Sequence, residues 1–220
     1  MEPIDEKVIK SGTTTLGLVC KDGVVLAADK RATAGYPPII SSRDVEKVFP
    51  ITDNIAVTIA GNVSDIQLVI KMVKAELRLK KIRTKKEPTV KEISSLLTMI
   101  SYENIRKFSP LMAITAFLVG GKDKKGFWLY EVSPDGCLVE RKNYASDGSG
   151  SVMAFGVLED SYKEGLTTKE GIRLAVRAIS AAMKRDTCSG SGIDVVVIDE
   201  KGARKVLSEE VKEVLVKKTL

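Results

Sequence analysis

The chain alternates between groups of short apolar strands and pairs of amphipathic helices, and this order limits the folds open to it. Residues 14–20 and 24–28 are apolar, β-branched runs joined by Asp22-Gly23, a pair typical of a β-hairpin turn. Further strands are expected at 55–60, 113–119, 127–132, 137–140, 194–198 and 204–207. Because hairpins connect most of these strands, the sheets should be largely antiparallel.

Helical signals interrupt the strands in two places. Apolar residues from Ile66 to Leu77 recur at helical spacing and predict a helix over 62–82. A capping box at 89–92 begins a second helix, another at 167–170 begins a later one after an apolar stretch from 151, and 208–217 should end as a short helix. Helices with one apolar stripe cover the outer faces of sheets, so the sequence predicts one α+β domain with two sheets packed between helical layers.

Composition excludes several kinds of function. The 220 residues include no histidine, which rules out Ser-His-Asp and Cys-His catalysis. Three cysteines without metal spacing favour neither a disulfide framework nor a metal site, and they fit a reducing, cytoplasmic location. No apolar run approaches the ~18–20 residues that a membrane span needs.

A net charge of +6 leaves one dense basic cluster, at residues 80–86. We interpret it as a helix end that runs into a solvated loop, because no aromatic residues interleave the charges. The alternative is an RNA or membrane patch, which salt-sensitive RNA affinity would reveal.

The sequence Gly12-Thr13 suggests how a chain without histidine could catalyse hydrolysis. A threonine freed at a chain terminus carries its own base, because an α-amino group titrates near ~7.7–8.0. Gly12 leaves room for the Thr13 hydroxyl to attack the preceding carbonyl. Residues 1–12 are short and polar, and they are interpreted either as a removable leader or as an ordinary frayed terminus.

Several small or charged clusters accompany this threonine at the ends of predicted elements: residues 29–33, 46–49, 60–61, 148–151 and 185–190. Each has an ordinary explanation when taken alone. Asp29 with Lys47 or Arg31 would be a surface salt bridge worth ~0–1 kcal/mol, and Gly61 would be a turn at a helix entry. Their joint order points to one site.

These segments resemble the proteasome β subunits, most closely the archaeal ones, among the N-terminal nucleophile hydrolases. The resemblance runs from Thr13 to about Leu215 and is strongest at 12–15, 28–33, 59–61, 148–151 and 177–186. It implies a four-layer α-β-β-α sandwich. It also implies a propeptide, 1–12, that the chain removes from itself, and one peptidase domain, 13–220.

The resemblance implies roles for individual residues. Thr13 is the expected nucleophile, Lys47 the buried cation beside it, and Asp29 the carboxylate that holds Lys47. The residues expected around the free amine are Ser149, Asp186 and Ser189. Lys47 is anchored by the sequence 46–49, because 35–43 is longer than in the family pattern; otherwise Lys30 or Arg31 would be the cation.

The substrate site is assigned on the same resemblance. The Gly61 backbone N–H is the expected oxyanion donor, and the Thr33 backbone is expected to pair with the substrate strand. The pocket would include Ala32, Ile59 and Val63, whose apolar character suggests cleavage after hydrophobic residues. No cofactor or metal is expected.

The implied function is that of a threonine endopeptidase that cleaves unfolded proteins inside stacked heptameric rings. Its partners would be proteasome α subunits, other β subunits and an ATP-dependent unfoldase, with no nucleic acid or membrane. The alternatives are a non-catalytic or unprocessed β subunit, the bacterial two-ring ATP-dependent peptidase, and an N-terminal amidohydrolase.

Overall fold

The computed structural model of the protein describes residues 12–35, 37–109 and 113–210. The strands in chain order are β1 (Thr15–Cys20), β2 (Gly23–Asp29), β3 (Ala32–Ala34), β4 (Ile39–Ser42), β5 (Val48–Thr52), β6 (Ile55–Gly61), β7 (Thr115–Asp123), β8 (Gly126–Val132), β9 (Leu138–Arg141), β10 (Tyr144–Asp147), β11 (Gly192–Asp199) and β12 (Gly202–Glu210). The helices are α1 (Val63–Thr84), α2 (Val90–Arg106), α3 (Ser151–Ser161) and α4 (Thr168–Met183).

Two five-stranded sheets form the centre of the fold. The first has the order β10-β1-β2-β11-β12 and the second the order β5-β6-β7-β8-β9. Neighbouring strands are antiparallel in both sheets, as the hairpin signals predicted. Strands β3 and β4 form a separate two-stranded hairpin.

Three apolar layers hold the sandwich together. Helices α3 and α4 pack on the first sheet, and α1 and α2 pack on the second. Between the sheets lies a third core that includes Leu26, Leu118 and Leu129. The resulting order of layers is helices, sheet, sheet, helices, which confirms the four-layer α+β sandwich.

Two of the helices begin where their sequence predicts. Thr89 and Thr167 each accept a hydrogen bond from the backbone of the third helical residue, Glu92 and Glu170 respectively, and each glutamate side chain accepts one from the cap backbone. The reciprocal bonds satisfy amide groups that a helix start otherwise leaves unpaired.

The strands missing from the prediction are short or lie at an edge. β5 and β10 each form the edge of a sheet, and β3 and β4 stand apart from both. β5 contains Pro50 beside a register shift, which an edge strand tolerates because it bonds on one side only. Strands of three to five residues are too short to show a clear apolar periodicity.

The predicted final helix is wrong in its first residues. Strand β12 continues through Glu210, because its backbone pairs with β11 as far as Gly192. The remainder of that prediction, 211–217, lies outside the described residues, as does most of the predicted propeptide. The division into 1–12 and 13–220 therefore stays a prediction.

The antiparallel register places several strand ends at the same end of the sandwich. Thr15, the first residue of β1, pairs with Ala28 near the end of β2 and with Asp147 at the end of β10. Ile193, near the start of β11, pairs with Asp29. The chain entering β1 therefore lies beside the segments that leave β2 and β10 and the segment that enters β11.

The core between the sheets provides a test of this architecture. Leu118 is fully buried there, whereas Leu68 on α1 is 56% exposed. Replacing Leu118 by Ala should lower the free energy of unfolding by about 2–5 kcal/mol through lost burial and a cavity. The matched change Leu68→Ala should stay within about 0.5 kcal/mol. Urea unfolding of both purified variants, followed by circular dichroism, makes the comparison, and equal losses would contradict the placement of Leu118.

Candidate active site

Asp29 is the most heavily hydrogen-bonded side chain at this end of the sandwich. It ends β2, and its side chain is fully buried. Its Oδ1 accepts from the Thr14 backbone N–H at 2.9 Å and lies 2.8 Å from Lys47 Nζ. The Thr13 hydroxyl donates to the same oxygen at 3.4 Å.

The second carboxylate oxygen of Asp29 binds the backbone alone. Oδ2 accepts from the Arg31 N–H and the Gly190 N–H, each at 2.9 Å. A buried carboxylate is costly unless it is paired and hydrogen-bonded, and these donors meet that requirement. Asp29 thereby connects the chain before β1, the end of β2 and the segment before β11.

Lys47 supplies the cation beside Asp29. It precedes β5 and is only 5% exposed. Burial lowers the pKa of its ammonium, and the Asp29 carboxylate opposes that shift. The two other candidate cations are engaged elsewhere: Lys30 Nζ pairs with Asp44 at 2.7 Å, and the Arg31 guanidinium donates to the Thr187 carbonyl at 3.1 Å.

A second carboxylate, Asp186, lies on the nitrogen side of Thr13. The Thr13 N–H donates to Ser149 Oγ at 3.2 Å, and Ser149 donates to Asp186 Oδ2 at 2.6 Å. Ser189 donates to the same oxygen at 2.5 Å, and its own Oγ lies 2.7 Å from the Thr14 hydroxyl. Because the Ser189 proton is directed at Asp186, the Thr14 hydroxyl is the donor to Ser189.

Two glycines let the loop after β10 approach Thr13 and Thr14. Gly148 has φ +92°, and a Cβ there would lie 2.2 Å from the Thr13 carbonyl oxygen. A Cβ at Gly150 would lie 2.0 Å from Thr14 Oγ1. The sequence Gly-Ser-Gly is therefore explained by close packing on both sides of Ser149.

A small apolar cavity of about 30 Å³ adjoins Thr13. Its walls include the predicted substrate residues Ala32, Ile59 and Val63, and also Gly61. Gly61 ends β6 with φ +120°, where a Cβ would lie 2.1 Å from the Ile114 carbonyl oxygen. Only glycine fits this backbone.

Thr33 contacts the residue that precedes Thr13. It lies on β3, and its Oγ1 accepts a hydrogen bond from the Gly12 N–H at 3.2 Å. The structure thus brings all the predicted site residues to one end of the sandwich. Their roles in a reaction, including backbone pairing between Thr33 and a substrate, stay predictions.

Some contacts in this site have no signal in the sequence. Thr14 donates twice, through its backbone to Asp29 and through its hydroxyl to Ser189. Arg31 and Gly190 contribute backbone N–H groups, which every residue except proline carries. Cys188 packs against Gly12, a contact that depends on the path of the loop before β11.

The described residues contain no group of three or more acidic or cysteine side chains placed to hold a metal ion. None of the helices described is both long and apolar enough to cross a membrane.

Comparison with known proteins identifies the family to which this arrangement belongs. The proteasome subunit family matches residues 9–198. The chain is 47% identical to the proteasome subunit beta of Ferroglobus placidus over 214 residues, which are 97% of this chain and 99% of that protein. Identity to the proteasome subunit beta of Archaeoglobus fulgidus is 44% over 217 residues, which are 99% of each chain. On this similarity, the chain belongs to the proteasome subunit family and is similar to archaeal β subunits over nearly its whole length.

Proposed function

We propose that this chain is a catalytic β subunit of the proteasome core particle, a threonine endopeptidase that uses Thr13 as its nucleophile. The observation that carries the proposal is the position of Thr13 between two polar systems. Its hydroxyl faces the buried Lys47–Asp29 pair, and its nitrogen donates to Ser149, which donates to Asp186. The hydroxyl of Thr13 and the nitrogen that release would convert into an amine therefore each have hydrogen-bond partners.

The first reaction in this proposal removes the propeptide. Thr13 Oγ attacks the Gly12 carbonyl, so that an ester bond forms from Gly12 to Oγ while the Gly12–Thr13 amide bond breaks. The hydroxyl proton moves to the Thr13 nitrogen. Water then hydrolyses the ester, which releases residues 1–12 with a carboxylate at Gly12 and restores the Thr13 hydroxyl beside a free amine.

Hydrolysis of a peptide substrate follows the same pattern, with the scissile carbonyl of the substrate in place of the Gly12 carbonyl. The neutral Thr13 amine accepts the hydroxyl proton, Oγ attacks the scissile carbonyl, and the proton passes to the leaving amine. Water hydrolyses the resulting ester. Lys47 favours developing negative charge on Oγ, and the Gly61 N–H is the proposed donor to the oxyanion, a role typically worth ~2.7–4 kcal/mol.

The rival function is that of a β subunit that occupies a ring position without cutting. The complete set of predicted side chains around Thr13 supports the catalytic alternative. These side chains also favour a peptidase over an RNA-binding protein. In the basic cluster at 80–86, Lys80 pairs with Glu92 and Lys81 with Glu87, so two of its charges are already partnered within the chain.

Membership of the family implies assembly with other subunits. We infer stacked heptameric rings with α subunits, an ATP-dependent unfoldase that delivers unfolded polypeptide, and a cytoplasmic location. We propose neither nucleic acid nor a membrane as a partner of this chain.

Substitution of the nucleophile tests the proposal most directly. Thr13→Ala should fold and assemble but retain residues 1–12 and lose peptidase activity to background, because no hydroxyl is left to attack. Thr13→Ser keeps the hydroxyl and should release the propeptide and retain activity. Intact-mass spectrometry and a fluorogenic peptide assay measure the two effects. Mature, active Thr13→Ala particles would refute the assignment.

The buried lysine predicts an unusual pH dependence. Activity should rise as the Thr13 amine loses its proton near ~7.7–8.0 and fall as Lys47 becomes neutral. Because burial lowers the pKa of Lys47, that fall should begin below the ordinary lysine value of 10.5. The profile of kcat/KM against pH shows this, with circular dichroism in the same buffers to confirm that the protein stays folded.

The variant Lys47→Ala serves as the control for that profile. It should reduce kcat/KM by at least ~10²-fold, because a positive charge that stabilises the developing negative charge on Oγ is lost. Losing the cation leaves the buried Asp29 carboxylate with hydrogen bonds only, so the variant should be less stable than the wild type. Circular dichroism at the assay temperature must therefore show that it is folded. A wild-type profile that stays flat beyond pH 10.5 in folded protein, or full activity in Lys47→Ala, would contradict the role assigned to the lysine.

The apolar cavity predicts substrate preference. Peptides with a hydrophobic residue on the amino side of the cleaved bond should be cut faster than matched peptides with an acidic one, because Ala32, Ile59 and Val63 offer only apolar contacts. Lys47 also lines the cavity, but its ammonium is already paired with Asp29. The added variant Val63→Lys should shift the preference toward acidic residues. A wild-type preference for acidic residues would reject the pocket assignment.

A further inference from the structure

Cys188 lies against Gly12, the residue whose carbonyl the proposed release reaction attacks. A Cβ added to Gly12 would lie 1.9 Å from the Cys188 Cβ and 2.8 Å from its Sγ. It would also lie 2.7 Å from Ser149 Oγ. Heavy atoms essentially never approach a real Cβ within 3.0 Å, so any side chain at residue 12 requires a displacement.

The Cys188 Cβ has little freedom to move away. Its position is set by the backbone and not by a side-chain rotamer. The Cys188 N–H donates to Asp186 Oδ1 at 3.2 Å, and two residues later the Gly190 N–H donates to Asp29. By contrast, Cys188 Sγ and Ser149 Oγ can rotate about their χ1 bonds.

Gly12 is fixed on its own side as well. Its N–H donates to Thr33 Oγ1 at 3.2 Å, and the following N–H, of Thr13, donates to Ser149. An L-residue at position 12 would direct its side chain at Cys188 and Ser149. Neither of these residues lines the apolar cavity proposed for substrates.

We propose that Cys188 is a specificity-determining residue for propeptide release, because its Cβ excludes every residue with a side chain from position 12. This inference rests on the proposed function. It assigns to the loop before β11 a selectivity for glycine in the self-cleavage reaction. That selectivity does not extend to peptide substrates, because the proposed function places their side chains in the cavity beside Ala32 and Ile59. Steric contact with Cys188 would thus restrict the residue before the Gly12–Thr13 bond without restricting the residue before the cleaved bond of a peptide substrate.

A second-site rescue experiment tests the proposal in particles assembled from the full-length chain with its partner subunits. Four variants are compared: Gly12→Ala, Cys188→Gly, and Gly12→Ala combined with either Cys188→Gly or Cys188→Ala. The rate of propeptide release is followed by intact-mass spectrometry. The single variant Cys188→Gly sets the reference rate for its double variant, and its peptidase activity after release shows that the site is still built.

The two double variants distinguish the Cβ from the rest of the cysteine. Gly12→Ala alone requires a shift of roughly 1 Å at the reacting carbonyl and should slow release by ~10²-fold. Adding Cys188→Gly removes the blocking Cβ and should restore at least ~10-fold of that loss. Adding Cys188→Ala keeps the Cβ and should restore nothing.

Three results would count against these ideas, each in a different way. If Gly12→Ala with Cys188→Gly remains as slow as Gly12→Ala alone, the glycine requirement lies in the backbone of residue 12 and Cys188 does not determine it. If Cys188→Ala rescues equally well, the Cβ contact is not the cause. If the unaltered chain keeps residues 1–12 in assembled, active particles, the proposed function itself fails.

Discussion

The buried carboxylate of Asp29 is the constraint on which the site depends. A charge taken out of water must be met by donors, and five groups meet it: three backbone N–H groups, the Thr13 hydroxyl and the Lys47 ammonium. These donors come from the chain before β1, the link between β2 and β3, the segment before β5 and the loop before β11. One side chain therefore sets the relative positions of segments that are far apart in the sequence, and the antiparallel register of β1, β2 and β11 brings them within its reach.

The two carboxylates of the site serve opposite sides of Thr13. Asp29 is fully buried and takes a cation and the threonine hydroxyl, whereas Asp186 is half-buried and takes the hydroxyls of Ser149 and Ser189. Because Ser149 directs its proton at Asp186, its oxygen receives the Thr13 N–H. A free amine held in this way would keep its lone pair for the neighbouring hydroxyl. The division of labour in our proposal follows from these hydrogen-bond directions, and a chain without histidine can adopt it.

Local signals predicted much of the fold, and the site was predicted largely through resemblance. The turn at Asp22-Gly23 and the capping boxes at Thr89 and Thr167 act within a few residues, so their sequence is sufficient. Edge strands such as β5 have one bonded side and little burial, which leaves a weak pattern. The end of β12 was mistaken for helix because pairing with β11 overrides local preference. Lys47 was named as a partner of Asp29 through the resemblance. The three backbone N–H groups that also bind Asp29 could not be deduced, because every residue except proline carries such a group.

The hydrogen bond from Gly12 to Thr33 has a consequence for timing. Before release, the chain's own backbone fills the acyl side of Thr13, tethered there by a covalent bond and by the Thr33 hydroxyl. A tethered group competes at a very high effective concentration, so a free polypeptide has little chance of displacing it. On our proposal, each subunit must first consume a single internal substrate, once and irreversibly, before any other protein gains entry to the nucleophile.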